Sequence, residues 1–208
     1  DDFASAMVTD PPYYDAIPYS DLLDFFYVWL KRVTEPSQAG RNTALLCPKE
    51  EECIVDEVKG KTPEYFEKMM QSCLTEQRRI VRPDGIGVVV FAHKSTAGWE
   101  RLLGAVIEAG WIITASWPID TELGLRLRAQ NSAALASSIH LVCRPRENTD
   151  GSLRMSAIGD WRDVLRELPI RIHEWMPRLA SEGIVGADAI FACLGPSLEI
   201  FSRYSSVE

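Results

Sequence analysis

The amino-acid sequence predicts an α/β domain, and three features carry that prediction. Short apolar runs without alternation are typical of strands buried on both faces of a sheet. Amphipathic segments of helical length separate these runs, so strand and helix alternate. The 208 residues are 46% hydrophobic and 25% charged, a composition that excludes disordered and low-complexity classes. We therefore expect one largely parallel sheet with helices on both faces.

Each element of this domain can be placed from its own residues. Strands are predicted at the apolar runs 6–9, 86–92, 111–116 and 139–143. Helices are predicted at 19–33, 63–81 and 98–109; Thr62 is the expected N-cap of the second, and Gly110 closes the third. Arg82-Pro-Asp-Gly85 predicts a turn before the second strand, because proline stops a helix and Asp-Gly favours a turn.

The pattern changes beyond residue 150. Two helices are predicted there, at 160–180 and 188–204, and the prolines inside them are expected to kink or divide them. We interpret residues 151–208 as a helical appendage to the segment formed by residues 1–150.

Charge and cysteine content limit the class of protein. The net charge of −8 argues against general binding of a polyanion by this segment alone, although locally held basic groups can still contact nucleic acid. The five cysteines are scattered without a Cys-x-x-Cys pair, which predicts reduced thiols in a cytoplasmic protein and no zinc site. No apolar run approaches the ~20 residues that a bilayer crossing requires, so we expect no membrane partner.

The most informative residues are Asp10, Pro11, Pro12 and Tyr13, directly after the first predicted strand. Ligands of open α/β sheets bind beyond the carboxyl ends of the strands. Methyl transfer to an exocyclic amino group needs two hydrogen-bond acceptors there, because the amino lone pair is delocalised into the ring. An ionised Asp10 is an acceptor only, the Pro11 carbonyl can be the second, and the paired prolines stiffen the turn.

Tyr13 completes this hypothesis, since its ring can stack on a base taken out of the helix. A strand-ending turn with a packing tyrosine would also account for the four residues.

Further segments accompany the motif: Thr9-Asp-Pro-Pro-Tyr-Tyr-Asp15, Tyr19-Ser-Asp-Leu-Leu-Asp-Phe-Phe-Tyr-Val-Trp-Leu30, Arg82-Pro-Asp-Gly85, Phe91-Ala-His-Lys94, Ser116-Trp-Pro118, Ser132-Ala-Ala-Leu-Ala-Ser-Ser138 and Leu141-Val-Cys-Arg144. Together they resemble the large adenine-specific DNA methylases, whose members often also carry a Zn-ribbon. Asp-Pro-Pro-Tyr is shared by all amino-group DNA methylases, whereas the other segments look specific to this family. The resemblance implies a class I, Rossmann-like fold that transfers a methyl group from S-adenosylmethionine to adenine N6 in DNA.

The chain departs from this family at the cofactor motif. The family holds S-adenosylmethionine with a Gly-rich turn upstream of Asp-Pro-Pro-Tyr, and here only nine residues precede Asp10. The one Gly-x-Gly, Gly85-Ile-Gly87, comes before its strand instead of after it. We therefore expect a fragment that holds the C-terminal half of the sheet, with residues 1–150 as its catalytic segment and most of the cofactor site elsewhere.

Such a fragment is expected to leave the edge of its first strand unpaired and an apolar face uncovered. Its expected partners are DNA and either the remainder of the methylase polypeptide or another subunit. Alone, it is expected to form an oligomer.

Other residues are candidates for substrate contact: Tyr14, Tyr19, His93, Lys94, Arg126 and Arg128. His93 and Lys94 end the second strand and project toward the rim that holds Asp10, although a capping or solvated pair is an equal reading. The two arginines lie in the connection between the last two strands, where they can contact phosphates or form ordinary salt bridges.

Three groups of residues are assigned structural roles. His140 is expected to be a satisfied histidine within its strand, and the aromatic residues of the first helix are expected to pack against the sheet. The acidic residues 50–52 are expected to form a solvated loop.

Two functions other than adenine methylation of DNA stay open. Some ribosomal RNA guanine methylases use a similar Asp-Pro-Pro-aromatic strand end, so the substrate can be an amino group in RNA. The chain can also be a non-catalytic interaction module.

Overall fold

The computed structural model of the protein describes residues 3–38, 45–93, 95–120, 137–150, 152, 158–184, 186–204 and 206–207. Strands and helices alternate along these residues, and two long helices follow the sheet. In chain order the elements are β1 Ala4–Thr9, α1 Tyr19–Gln38, a short 3-10 helix Glu57–Lys59, α2 Pro63–Ile80, β2 Val81–Phe91, α3 Thr96–Glu108, β3 Trp111–Asp120, β4 Ser137–Pro145, β5 Ile158–Gly159, α4 Trp161–Ser181, α5 Ala187–Ser202 and β6 Ser206–Val207. The predicted mixed α/β class is confirmed.

The main sheet has four strands in the order β1-β2-β4-β3. β1 and β2 are parallel, with Val8 opposite Val88, whereas β4 runs antiparallel to both of its neighbours. The sheet is therefore mixed, and the expectation of a largely parallel sheet was wrong. Continuous apolar runs indicate burial on both faces, but burial does not determine strand direction.

The predicted turn at Arg82–Gly85 lies inside β2. Ala4 pairs with Val81 and Ala6 with Ile86, so β2 advances five residues while β1 advances two. The Pro-Asp-Gly signal therefore produces an irregularity in the strand pairing and not a separate turn. Gly85 is required there, since a Cβ atom would lie 2.6 Å from Val81 Cγ1.

Side chains of the predicted type begin the two helices that flank β2. Thr62 Oγ1 accepts a hydrogen bond from Tyr65 N at the start of α2, directly before Pro63. Ser95 Oγ accepts from Gly98 N at the start of α3. Gly110, with φ of 87°, follows the end of α3 as predicted.

Strand β3 is buried at its start and contacts helices from two parts of the chain. Trp111, Ile112 and Ile113 are consecutive and all buried, and neighbouring strand residues point to opposite faces. The Trp111 indole Nε1 donates to the Leu74 carbonyl of α2 (3.2 Å), and Ile113 N donates to Ser202 Oγ of α5 (3.2 Å). Helices α2 and α5 thus both contact β3, while the expected cover of helices on both faces of the sheet stays a prediction.

Helix α5 approaches β3 closely through a glycine and a proline. Pro196 has no N–H, so the Ala192 carbonyl four residues earlier lacks its helical donor. Ser116 Oγ of β3 donates to that carbonyl instead, at 2.5 Å. A Cβ atom on Gly195 would lie 2.1 Å from Ser116 Oγ. Helix α5 runs on through its proline, and α4 through its two. The prolines therefore do not divide these helices, and the alternative expectation of a kink stays a prediction.

Residues 151–208 thus contribute α5 as a cover of the sheet. Their separation from residues 1–150 as an appendage stays a prediction. Among the described residues, no helix is long and apolar enough to span a membrane.

The β1 and α1 side of the molecule is far more exposed. β1 is an edge strand, and 73% of Val8 is accessible. Seven large apolar residues of α1 recur at helical spacing and are more than half exposed; we call them the α1 stripe: Leu22, Leu23, Phe25, Phe26, Trp29, Leu30 and Val33. The expectation that the α1 aromatics pack against the sheet was therefore wrong for Phe25, Phe26 and Trp29.

Candidate functional site at the carboxyl ends of β1 and β2

Asp10 to Tyr13 lie where β1 ends, beside the end of β2. Thr9 is the last residue of β1 and pairs with Val89. Because the two strands are parallel, their carboxyl ends meet at one edge of the sheet. Asp10 is exposed and Pro11 is buried, so the carboxylate reaches solvent from a fixed backbone. The predicted position of the motif is confirmed.

Tyr13 is half-buried and packs edge-on against Phe91, the last residue of β2. The two ring centroids lie 5.4 Å apart at an interplanar angle of 73°. This contact fixes the ring by one edge.

The backbone turns sharply after Tyr13. Tyr14 N donates to the Pro12 carbonyl (3.1 Å), and Ala16 N donates to the Tyr13 carbonyl (2.9 Å). Tyr14 has φ of 57°, a left-handed conformation that is costly for a bulky side chain. The turn uses the carbonyl of Pro12 and not that of Pro11, the acceptor that the hypothesis assigns to the substrate.

Tyr14 is held in this conformation by its surroundings. Its ring is buried and meets Phe66 and His93 edge-on, with centroids 5.2 and 5.3 Å away. Its carbonyl accepts from Val55 N (3.0 Å). Burial raises the pKa of the Tyr14 phenol, and the Asp15 carboxylate raises it further. The structure thus places Tyr14 in the core, while its predicted contact with substrate stays a prediction.

His93 lies beyond the end of β2 and is buried. Its Nε2 is 2.8 Å from Asp15 Oδ1, and its Nδ1 is 2.9 Å from Ser95 Oγ. His93 follows β2 as predicted, but its side chain is buried and not solvated; a role near the substrate stays a prediction. The sequence did not predict Asp15 as the partner, since 78 positions separate the two residues.

Tyr19 begins α1 and is half-buried. Burial is the largest cause that raises the pKa of its phenol; a hydrogen bond with the Tyr13 backbone opposes that shift, and the Asp10 carboxylate adds to it. Tyr19 therefore belongs to the same neighbourhood as Asp10 and Tyr13, as predicted. A contact with substrate stays a prediction.

Glu52 supports this site, contrary to the expectation of a solvated acidic loop. Its carboxylate accepts from Ser20 N (2.8 Å) and Ser20 Oγ (2.5 Å), so it satisfies donors at the start of α1. The buried Lys61 ammonium donates to the Glu52 carbonyl (2.9 Å). No sequence signal connects Glu52 with Ser20, because a long-range cap has no fixed spacing.

The remaining predicted residues lie away from this cluster or beyond the description. Lys94, Arg126 and Arg128 fall outside the described residues, so their substrate contacts stay predictions. His140 lies in β4 with its Nε2 3.3 Å from Ser138 Oγ, as expected of a structural histidine.

The described residues do not form a complete site for S-adenosylmethionine. The junction of β2 and α3 is capped by Ser95, and Glu52 occupies the start of α1. Neither junction is a Gly-rich strand-to-helix turn, the element that holds S-adenosylmethionine in the family that the sequence resembles. In the described part of the chain, no group of three or more His, Cys, Asp and Glu could hold a metal ion.

Comparisons with known proteins add nothing to this geometry. No protein-family model matches the chain, and neither a curated protein nor a solved structure is similar to it. Its function has to be inferred from the residues at the ends of β1 and β2.

Proposed function

We propose that this chain carries the substrate-activating half of an S-adenosylmethionine-dependent methyltransferase that acts on adenine N6 in DNA. One observation carries the proposal: Asp10 to Tyr13 follow an edge strand at the carboxyl end of the sheet, with Asp10 open to solvent. The resemblance to the adenine-specific DNA methylases gives the substrate class.

In this proposal Asp10 and the Pro11 carbonyl accept the two hydrogens of the adenine amino group. These two hydrogen bonds direct the nitrogen lone pair toward the methyl group that S-adenosylmethionine would supply when bound. As the new N–C bond formed, the bond between that methyl group and sulfur would break, and one amino proton would be lost to solvent. Tyr13 stacks on the flipped base, an interaction typically worth ~1–3 kcal/mol. Since Phe91 fixes the Tyr13 ring by its edge, little side-chain entropy is lost when the base stacks.

The strand order supports this assignment. In the class I fold that the resemblance implies, the last strand is reversed and inserted between the two strands before it. Here β4 is the last strand of the main sheet in chain order, is antiparallel to its neighbours and lies between β2 and β3. That arrangement is compatible with the C-terminal half of such a sheet.

The exposed β1 and α1 side supports a partner that carries the cofactor-binding half. β1 is already parallel to β2, so its free edge can accept another parallel strand. The α1 stripe presents on the order of 800 Å² of apolar surface, about what each partner contributes to a standard interface. We propose that a strand and helix with a Gly-rich turn, from the remainder of the polypeptide or from another subunit, cover this side.

Methylation assays test the proposal on this chain together with the part of the enzyme that carries the cofactor site. With labelled S-adenosylmethionine and duplex DNA, N6-methyladenine should form, and Asp10→Ala should lower the rate by about 10²–10³-fold while the protein stays folded. Asp10→Asn should be similarly damaging, since an amide can present a donor where only an acceptor fits. Tyr13→Phe should be milder than Tyr13→Ala, because the stacking ring survives.

Nucleoside mass spectrometry after incubation with DNA or with RNA separates the alternatives. If methylated bases formed only in RNA, the substrate would be RNA and not DNA. Near-normal turnover in both Asp10 variants would contradict the role of the motif, and no methylation of either substrate would favour an interaction module.

A further inference from the structure

His93 sits in an environment that determines which of its nitrogens carries the proton. Ser95 N points its hydrogen at Nδ1 (3.2 Å), so Nδ1 must offer a lone pair. Ser95 Oγ also lies 2.9 Å from Nδ1, and because it accepts from Gly98 N with a lone pair, its own hydrogen is free to point at Nδ1. The Ser95 carbonyl, an acceptor that would favour a proton on Nδ1, is farther away at 3.4 Å.

The proton therefore belongs on Nε2, which faces a carboxylate. Nε2 lies 2.8 Å from Asp15 Oδ1, the distance of a charge-assisted hydrogen bond. In this neutral tautomer the ring connects the start of α3, through Ser95, to the turn that follows Asp10 to Tyr13.

The ring is also fixed on its faces. Phe91 lies near-parallel to it, with centroids 6.2 Å apart at 29°, and Tyr14 meets it edge-on. Gly98 leaves space for it, since a Cβ there would lie 2.6 Å from Nδ1. Trp99 Nε1 donates to the His93 carbonyl (2.8 Å). The imidazole thus has one orientation available.

His93 contacts the part of the turn whose backbone conformation is energetically unfavourable. Tyr14 stands in a left-handed conformation, and such conformations persist where the surroundings hold them. His93 contacts this residue through its ring and the next residue, Asp15, through Nε2. The same turn sets the direction in which Asp10 and Tyr13 leave β1.

We propose that His93, as its Nε2–H tautomer, is a positioning residue that holds the Asp-Pro-Pro-Tyr turn through Asp15 and Tyr14 and does not itself contact substrate. Its effect on methyl transfer rests on the proposed function above. The tautomer of His93 and its contacts with the turn are independent of the proposed function.

Nitrogen NMR of the full chain tests the tautomer without any activity. Long-range proton–nitrogen correlations of the three histidines, assigned with His140→Gln and His173→Gln, should show His93 with a protonated Nε2 and a bare Nδ1 at neutral pH. Asp15→Ala should shift the Nε2 resonance, whereas Asp163→Ala, at an exposed carboxylate of α4, should leave it unchanged. A protonated Nδ1, or no response to Asp15→Ala, would overturn the proposal.

Kinetics of matched variants test the positioning. His93→Gln keeps an amide donor that can reach Asp15, and His93→Leu keeps the volume without a donor. We expect His93→Leu to lower kcat about 10–100-fold with KM for DNA nearly unchanged. The variant would displace Asp10, which weakens stabilisation of the transition state but not the binding of DNA. His93→Gln should recover most of that loss, and His173→Gln should lose nothing.

The outcomes separate the two proposals. A normal kcat in His93→Leu, together with an inactive Asp10→Ala, would overturn the positioning role and leave the methyltransferase intact. An Asp10→Ala protein as active as the parent would overturn the methyltransferase, while the NMR result would still decide the tautomer.

Discussion

Two tryptophans show how differently the two sides of this molecule are built. Trp99 in α3 is 1% exposed, contacts Phe91 edge-on and donates to the His93 carbonyl. Trp29 in α1 is 59% exposed, and Arg32 lies over its ring. The residue type is the same, but only the first is part of a core. An apolar pattern therefore identifies the apolar face of a helix, but it does not show whether the chain itself buries that face.

Polar residues of α1 form hydrogen bonds with the segment that follows the helix in sequence. Asp24 accepts from Lys49 Nζ (2.7 Å) and from Cys47 N (2.8 Å), and Ser20 binds Glu52. Since Lys49 donates to it, the pKa of Asp24 is lowered. The helix is held to the molecule by hydrogen bonds and ion pairs, while its apolar face lies exposed.

The largest expected contrast is between Trp99→Ala and Trp29→Ala. Trp99→Ala should cost about 3–5 kcal/mol of unfolding free energy, because it opens a cavity. Trp29→Ala should cost less than about 1 kcal/mol, since it removes only exposed contacts and one cation–π interaction. Urea unfolding of both variants measures the two values. Equal losses would mean that α1 is packed into the fold of the isolated chain.

A smaller loss of stability is expected from replacing Gly195, a glycine on the buried side of the molecule. Gly195→Ala should destabilise the protein by about 1–3 kcal/mol, because the new Cβ would overlap Ser116 and push α5 off β3. Gly104→Ala in α3 is the control, since its Cβ would meet only the flexible Glu67 carboxylate at 3.2 Å, and alanine favours the helix. Thermal unfolding compares them, and a harmless Gly195→Ala would contradict the close approach.

The smallest change in stability, and the clearest change in association, is expected from the α1 stripe. Replacing Phe26 and Trp29 together by lysine should alter the unfolding free energy by about 1 kcal/mol or less. Light scattering should show the parent chain as an oligomer and the variant shifted toward a monomer. Val58→Lys, at a residue 98% exposed outside the stripe, should leave association unchanged, and a monomeric parent would show that the stripe does not drive self-association.

The sequence was sufficient where the signal was local. The caps Thr62 and Gly110 and the position of Asp10 to Tyr13 all depend on neighbouring residues, and the structure has them as predicted. The direction of β4 and the pairing of His93 with Asp15 depend on residues far apart in sequence, where no spacing rule applies. The burial of the α1 aromatics was mispredicted because amphipathicity does not identify the partner.

The position of β1 in the sheet also has a consequence for the order in which the protein assembles. Val8 pairs with Val88, 80 positions later, whereas Asp120 of β3 pairs with Ser137 of β4 across only 17. Closing the longer loop costs about 1.4 kcal/mol more in chain entropy, and distant pairings form slowly. We expect β3 and β4 to pair first and β1 to add late to the edge of β2, so that residues Asp10 to Tyr13 reach their final position after the rest of the sheet has formed.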